Sequence, residues 1–315
     1  MFSLKKAFTA LTVSALAFTL TACGGSSDSS SSTASKDPVK IGIPDDATNG
    51  GRAIKLLETA GLISVNPDAG WVPELKDVTE YIYNIEIVPT TANTLPSTLD
   101  DFGASTINGT YAIPIGLVPS RDGLIVENQA DAVAEGEKNP FINIIVARTE
   151  EKDNETFAKV VKAYNTDYVA QYILAKFQEA SIPAWEWSPT ELSDEAIVDE
   201  VDHYESSADG KTVVRVGVCG ASNDSWRAVQ KILDDNGDNI YIELVRFDAY
   251  TLPNEALNSG EIDLNSFQHY AYLEKEIASQ GYDLTVIGDT SMAPLTLYSR
   301  KYTSLDELKE AAGKK

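Results

Sequence analysis

Short runs of apolar and β-branched residues alternate with segments whose apolar positions recur every three or four residues, over nearly the whole chain. The runs read as strands and the 3.6-period segments as helices, and their alternation predicts an α/β fold with mostly parallel sheets. Residues 39–43 read as a buried strand. It leads into Asn49-Gly50-Gly51 and then a helix over 52–60, whose Ile54, Leu56 and Leu57 form one apolar side. A strand at 85–88, a short helix at 95–101 and a strand end at 105–108 follow. Strands at 124–127 and 142–147 precede helices across 157–164 and 167–177.

From 188 to 210 the chain turns polar and acidic, carries Pro189, Ser206 and Gly210, and loses any strand signal, as a linker does. A fresh series begins beyond it: strand 212–218, helix 225–233, strand 240–245, helix 270–278, strands 284–287 and 294–298, and helix 305–312. No internal repeat is evident. The size of the body after residue 37 suits two medium domains.

The N-terminus has a different pattern. Lys5 and Lys6 precede an apolar stretch over 7–20 and then Leu20-Thr21-Ala22-Cys23. That is the architecture of an export signal over 1–22, too short to span a bilayer. Cys23 stands where a lipoprotein signal is cut and so reads as a lipidated residue; the alternative is a plain secretory signal with an incidental cysteine. Residues 23–37, rich in Ser and Gly, read as a flexible tether. No second long apolar run follows. The expected location is the extracytoplasmic side of the cell membrane, held by the lipid.

Charge and rare residues narrow the function. With 25 Lys plus Arg against 48 Asp plus Glu the formal charge is −23, which excludes nucleic acid as a partner and suits a soluble monomer. Of the two cysteines, Cys219 ends an apolar strand and reads as a packing residue, so no disulfide is expected once Cys23 carries lipid. Of the two histidines, His203 lies in the acidic segment, leaving His269 alone for acid–base or metal work. There is no His-Glu-x-x-His pair, no Gly-x-Ser-x-Gly elbow and no P-loop. The expectation is a binding protein and no enzyme, with neither metal nor cofactor. The alternatives are a secreted hydrolase working through carboxylates and a surface lipoprotein or adhesin with a vestigial cleft.

Three groups of residues carry candidate binding chemistry. Arg52 follows two glycines at an expected strand-to-helix turn, where a guanidinium and a helix N-terminus can grip one carboxylate; the plainer reading is a solvated Arg after a Gly-Gly turn. Asn108 ends a strand, and its amide can read both ends of a zwitterion or simply cap a turn. Tyr250, Phe267, His269 and Tyr272 gather aromatic faces that suit a thioether, although such a group is also ordinary core, and His269 an ordinary structural histidine.

Several stretches resemble the NlpA (MetQ-like) lipoprotein family, the substrate-binding lipoproteins of methionine ABC importers. They are Ile43-Pro44-Asp45-Asp46-Ala47-Thr48-Asn49-Gly50-Gly51-Arg52, Thr106-Ile107-Asn108-Gly109-Thr110-Tyr111-Ala112, Leu252-Pro253-Asn254-Glu255-Ala256-Leu257, Asn265-Ser266-Phe267-Gln268-His269 and Ser304-Leu305-Asp306-Glu307-Leu308. Their order is swapped relative to the family, so the chain resembles a circular permutant. The resemblance implies a two-lobed, type II periplasmic-binding-protein-like clamshell. One lobe would comprise 38–116 plus 303–315 and the other 117–302, including the acidic segment, with hinge crossings near Gly116 and Ser299. It also implies a small amino acid as ligand, most of all methionine, with Arg52 on the carboxylate, Asn108 beside it and the aromatic group opposite. An ABC permease and ATPase would be the partner. The chain departs from the family at Ser291-Met292-Ala293-Pro294, where larger aromatic residues usually precede the proline, and at Tyr270-Ala271; the small Ala293 is expected to reshape the pocket.

Overall fold

The computed structural model describes residues 37–128 and 138–315; the export signal, Cys23 and nearly all of the tether lie outside them. The first elements are β1 (Val39–Pro44), α1 (Ala47–Thr59), β2 (Ile63–Val65), β3 (Val78–Tyr81), β4 (Ile85–Thr90), β5 (Ala104–Ile107), α2 (Gly109–Ala112), α3 (Pro119–Asp122) and β6 (Gly123–Val126). There follow β7 (Ile142–Arg148), α4 (Glu155–Tyr164), α5 (Asp167–Phe177), β8 (Ile182–Pro183), α6 (Asp194–Asp202), β9 (Thr212–Cys219), α7 (Ser225–Asp235) and β10 (Ile240–Phe247). The last are α8 (Pro253–Asn258), β11 (Leu264–Asn265), α9 (Tyr270–Gln280), β12 (Leu284–Met292), β13 (Thr296–Tyr298) and α10 (Leu305–Ala312).

Two sheets organise this α/β body. One has five strands in the order β4-β1-β5-β13-β6, the other six in the order β10-β9-β11-β7-β12-β8, and β2 and β3 form a separate small ribbon. The chain therefore passes from the first sheet to the second after β6 and returns between β12 and β13. This corrects the expected lobe boundaries. Residues 117–126 and 294–302 do not belong with the six-stranded lobe, because β6 and β13 pair antiparallel with each other and β13 with β5. The crossings accordingly lie past Val126 and near Ala293, not at Gly116 and Ser299.

The same connections explain why the sheets are mixed and not mostly parallel. β1 runs parallel to β4 and β5, and β9 parallel to β10 and β11, as helical crossovers require. At each crossing, however, one strand leaves and another returns. β7 therefore pairs antiparallel with β12, as β6 does with β13.

β7 shows how the sheet is buried. Its Ile145 and Ala147 face the core formed with α4, α5, α6 and α7, while Ile144 and Val146 face α8 and α9. All four are fully buried, which is why the strand reads as a continuous apolar run and not as an alternation. Truncating such an Ile to Ala costs about 2–5 kcal/mol.

Two local expectations change. Residues 95–101 form linked turns and no helix, though Leu95 and Leu99 still bury their side chains. The acidic segment 188–210 contains α6, capped by Ser193 and anchored by fully buried Ile197 and Val201. Those two positions, four apart, give one narrow apolar stripe that the surrounding charge hides.

Candidate functional site

Each candidate binding residue sits on a connection that leaves the end of a strand: Arg52 after β1, Asn108 after β5, Tyr250 after β10, and Phe267, His269 and Tyr272 after β11. Loops at strand ends are where open α/β sheets receive ligands. All six line one small cavity of about 30 Å³, the first two from the five-stranded lobe and the other four from the six-stranded lobe.

Arg52 is not placed as its sequence context suggests. α1 begins at Ala47, with Asp46 as its N-cap accepting the Asn49 N–H at 2.8 Å, so the glycines lie inside the helix. They serve packing. A Cβ on Gly50 would stand 2.8 Å from the Pro44 carbonyl oxygen, and one on Gly51 2.6 Å from Val72 Cγ1. The helix N-terminus is occupied by Asp46 and is not part of an anion site.

Arg52 itself is buried, its guanidinium carbon 4.6 Å from the centre of the Phe141 ring. It donates from Nε to Glu127 Oε1 at 2.9 Å and from Nη2 to Glu127 Oε2 at 2.5 Å. Nη2 also donates to the Ala293 carbonyl at 3.2 Å, and Nη1 to Asn49 Oδ1 at 3.2 Å. A guanidinium has five N–H donors, so one on Nη1 is left for a ligand.

Asn49 is the hub that sequence reasoning missed. Its Nδ2 donates to both carboxylate oxygens of half-buried Asp46 at 3.1 Å, which turns Oδ1 toward the cavity. There Oδ1 accepts from Arg52, from Asn108 Nδ2 at 2.9 Å and, across the lobes, from His269 Nε2 at 3.5 Å. Burial pushes the Asp46 carboxyl above its ordinary value, in spite of the Asn49 donors.

Asn108 does not cap the helix that follows it. With its Nδ2 given to Asn49, its Oδ1 is buried and has no hydrogen-bond partner among the described residues. A buried acceptor without a donor is costly, and one facing a cavity fits a donor brought by a ligand.

On the other lobe, His269 caps α9 by accepting the Tyr272 N–H at Nδ1, 3.2 Å away. That bond places the proton of the neutral ring on Nε2, facing Asn49. Burial, and then the Arg52 charge, hold the imidazole well below its ordinary pKa, so it is neutral. Tyr250 stands 6.0 Å from Phe267 and 6.1 Å from Tyr272, ring centre to ring centre, and the three form an aromatic wall.

The wall is held by a closed amide network. Gln268 Oε1 accepts from Asn254 at 2.9 Å, Gln268 Nε2 donates to Asn254 at 2.6 Å and to Asn265 at 3.0 Å, and Asn265 donates to Asn254 at 2.9 Å. All three side chains are buried, so the loop bearing Phe267 and His269 has little freedom.

Cys219 is a buried thiol, pushed upward by burial. His203 ends α6 at the surface, 3.2 Å from Asp199, far in sequence and role from the cavity. Among the described residues no group of His, Cys, Asp and Glu is arranged to hold a metal, and no helix is long and apolar enough to cross a membrane.

Comparison with known proteins adds identity to this geometry. The chain is 36% identical over 152 residues to the D-methionine-binding lipoprotein MetQ of Escherichia coli, covering 48% of this chain and 53% of that one. It is 37% identical over 150 residues to a probable D-methionine-binding lipoprotein MetQ of Vibrio cholerae, with the same two coverages, 48% and 53%. The chain thus spans about half the length of the curated relatives it matches. Among solved structures, a nutrient-binding protein from Burkholderia cenocepacia bound to methionine is 25% identical, covering 47% of this chain and 60% of that one, with a TM-score of 0.39. The family model for NlpA lipoprotein matches residues 25–185 and 214–313, the greater part of the sequence. The chain belongs to the NlpA lipoprotein family.

Proposed function

We propose that this protein is the substrate-binding lipoprotein of an ABC importer and that its cavity holds a small amino acid, methionine above others. The observation that carries the reading is the unpartnered Asn108 Oδ1 facing the same cavity as the remaining Nη1–H of Arg52. An acceptor for an ammonium and a donor for a carboxylate then lie on one lobe, while Tyr250, Phe267 and Tyr272 offer ring faces to a thioether from the other. Both lobes touch the ligand, so ligand favours the closed state. Curated relatives named for D-methionine support the ligand class.

Lipid on Cys23 holds the protein at the extracytoplasmic face, and the closed form delivers ligand to a permease and its ATPase. It acts as a monomer and carries out no catalysis. The test is calorimetry of the purified chain against all amino acids in both hands. Saturable binding that Arg52→Ala and Asn108→Ala weaken supports the reading; no binding of any amino acid refutes it. Cys23→Ala is expected to release the protein from the membrane fraction.

We further propose that the chain is a circular permutant of its family. Alignments to the curated relatives reach only about half of either partner, yet the family model matches two separate stretches. The unmatched residues between those stretches include α6, on the outside of the six-stranded lobe. The two ends of the body also meet. Asn84 accepts the Val39 N–H at 3.0 Å and donates its own to the Gly313 carbonyl at 2.9 Å.

A further inference from the structure

We infer that Glu127 sets the charge class of the ligand: by neutralising Arg52 from behind, it makes the cavity select a net-neutral zwitterion over a carboxylate that lacks an amine. The inference rests on the amino-acid reading above and assigns a role to a residue outside the cavity wall.

Glu127 follows β6, at the start of the crossing between the lobes. Its side chain is 13% exposed and that of Arg52 3%, so the pair is largely out of water. Its own position is fixed on both sides. Glu127 Oε2 accepts the Leu295 N–H at 3.0 Å, and its backbone N–H donates to the Leu295 carbonyl at 2.9 Å. The two parallel bonds to Nε and Nη2 take the edge of the guanidinium that would otherwise grip a ligand carboxylate through two oxygens. The N–H left without a partner is on Nη1.

The charges around the cavity follow from this placement. Among the described residues Arg52 is the one charged side chain in the wall, since His269 is neutral. Behind it stands Glu127, and behind Asn49 stands Asp46. The site therefore has no positive excess. A zwitterion adds no net charge and gives Asn108 Oδ1 its missing donor. A monoanion without the amine buries one uncompensated negative charge and leaves that acceptor unpartnered. Glu127 acts through Arg52 and is a positioning residue.

The test compares methionine with 4-(methylthio)butanoate, its deaminated analogue, by calorimetry on the native chain, Glu127→Gln and Glu127→Asp. The native chain is expected to favour methionine by about a hundredfold or more, from one lost charge-assisted bond plus one unbalanced charge. In Glu127→Gln that preference shrinks by about tenfold or more, through tighter binding of the analogue, because a buried countercharge within a few Å has been removed. Glu127→Asp retains the charge and keeps the native preference. A structural role alone changes both affinities by the same factor, and an unchanged ratio in folded Glu127→Gln overturns the inference. If that variant does not fold, the native ratio decides, and a preference below about tenfold overturns it. Failure of the native chain to bind methionine or any other amino acid refutes the amino-acid reading itself and removes the basis of this one.

Discussion

Replacing Asn108 by Ala separates a binding role from a structural one, because the two roles predict opposite outcomes. In the free protein the substitution removes one hydrogen bond, Nδ2 to Asn49 Oδ1, for which about 1 kcal/mol is a fair figure. It also removes a buried oxygen without a partner, whose desolvation costs about 1–3 kcal/mol. The backbone at Asn108, φ −66° and ψ 144°, suits Ala equally well. The free protein is therefore expected to keep its stability within about 1 kcal/mol, or to gain slightly. Binding is different. The ammonium loses a charge-assisted acceptor in a buried site, worth about 1.5–3 kcal/mol, so the dissociation constant rises by about 10- to 150-fold. At a methionine concentration 100 times the native dissociation constant, ligand stabilises the native chain by about 2.7 kcal/mol. A 30-fold weaker variant retains only about 0.9 kcal/mol of this at the same concentration. Denaturant unfolding with and without methionine reads both quantities. A loss above about 2 kcal/mol in the free protein with unchanged affinity would make Asn108 a structural residue and remove the main support for the site.

Gln268→Leu is expected to destabilise by about 2–5 kcal/mol, measured by urea unfolding, since it orphans Asn254 Nδ2 and Asn265 Oδ1 in the core. It should also weaken ligand binding without touching the ammonium or carboxylate partners. Acid should destabilise through His269. Its folded pKa is depressed, so the unfolded chain binds a proton that the folded chain excludes, and the contribution present above about pH 6.5 is lost as pH falls. The slope from this one group is up to about 1.4 kcal/mol per pH unit, and His269→Gln should flatten it in unfolding curves taken between pH 5 and 7. Asp46, whose carboxyl is raised by burial, works in the opposite sense, its contribution being full below 3.8 and lost as pH rises. A chain opened within residues 186–213, with residue 315 joined to residue 38 by a short linker, is expected to fold and to bind methionine within about threefold of the native order. Failure of that chain to bind while folded would refute the permutation.

Elements were legible from sequence where local pattern and burial agree, as in α5 and α10, whose bounds fall as expected, and in β7 and β9. The lobe boundaries were not. Residues 123–126 look alike whether they join one sheet or the other, and only pairing with β13 decides. Helix α6 was hidden because two apolar positions amid carboxylates make a weak stripe, and the start of α1 because two glycines read as a turn when they are in fact packing contacts. Of the six candidate residues, Arg52, Asn108, Phe267 and His269 lie within the family motifs and Tyr250 and Tyr272 outside them, and all six line one cavity. Their supports were not legible. Glu127 is an ordinary strand-end carboxylate until the fold places it 75 positions away against Arg52.

The order of segments matters little to this site because each lobe positions its own part of it. Asp46, Asn49, Arg52 and Asn108 are tied to one another within the five-stranded lobe, and the Gln268 network ties Phe267 and His269 within the six-stranded lobe. Between the lobes, His269 and Asn49 meet at 3.5 Å, Tyr111 donates to the Asp248 carbonyl at 3.2 Å and its ring lies 5.1 Å from that of Tyr250, and Arg52 lies over the Phe141 ring at 4.6 Å. The ends of the body meet at Asn84, away from all of these ties. The halves of the site are also joined by the pair of antiparallel crossing strands, together with Glu127 at one crossing and the Ala293 carbonyl at the other, both bonded to Arg52. The guanidinium thus bonds to both crossings, and on the proposed binding mode a ligand that engages Nη1 would be linked through it to both.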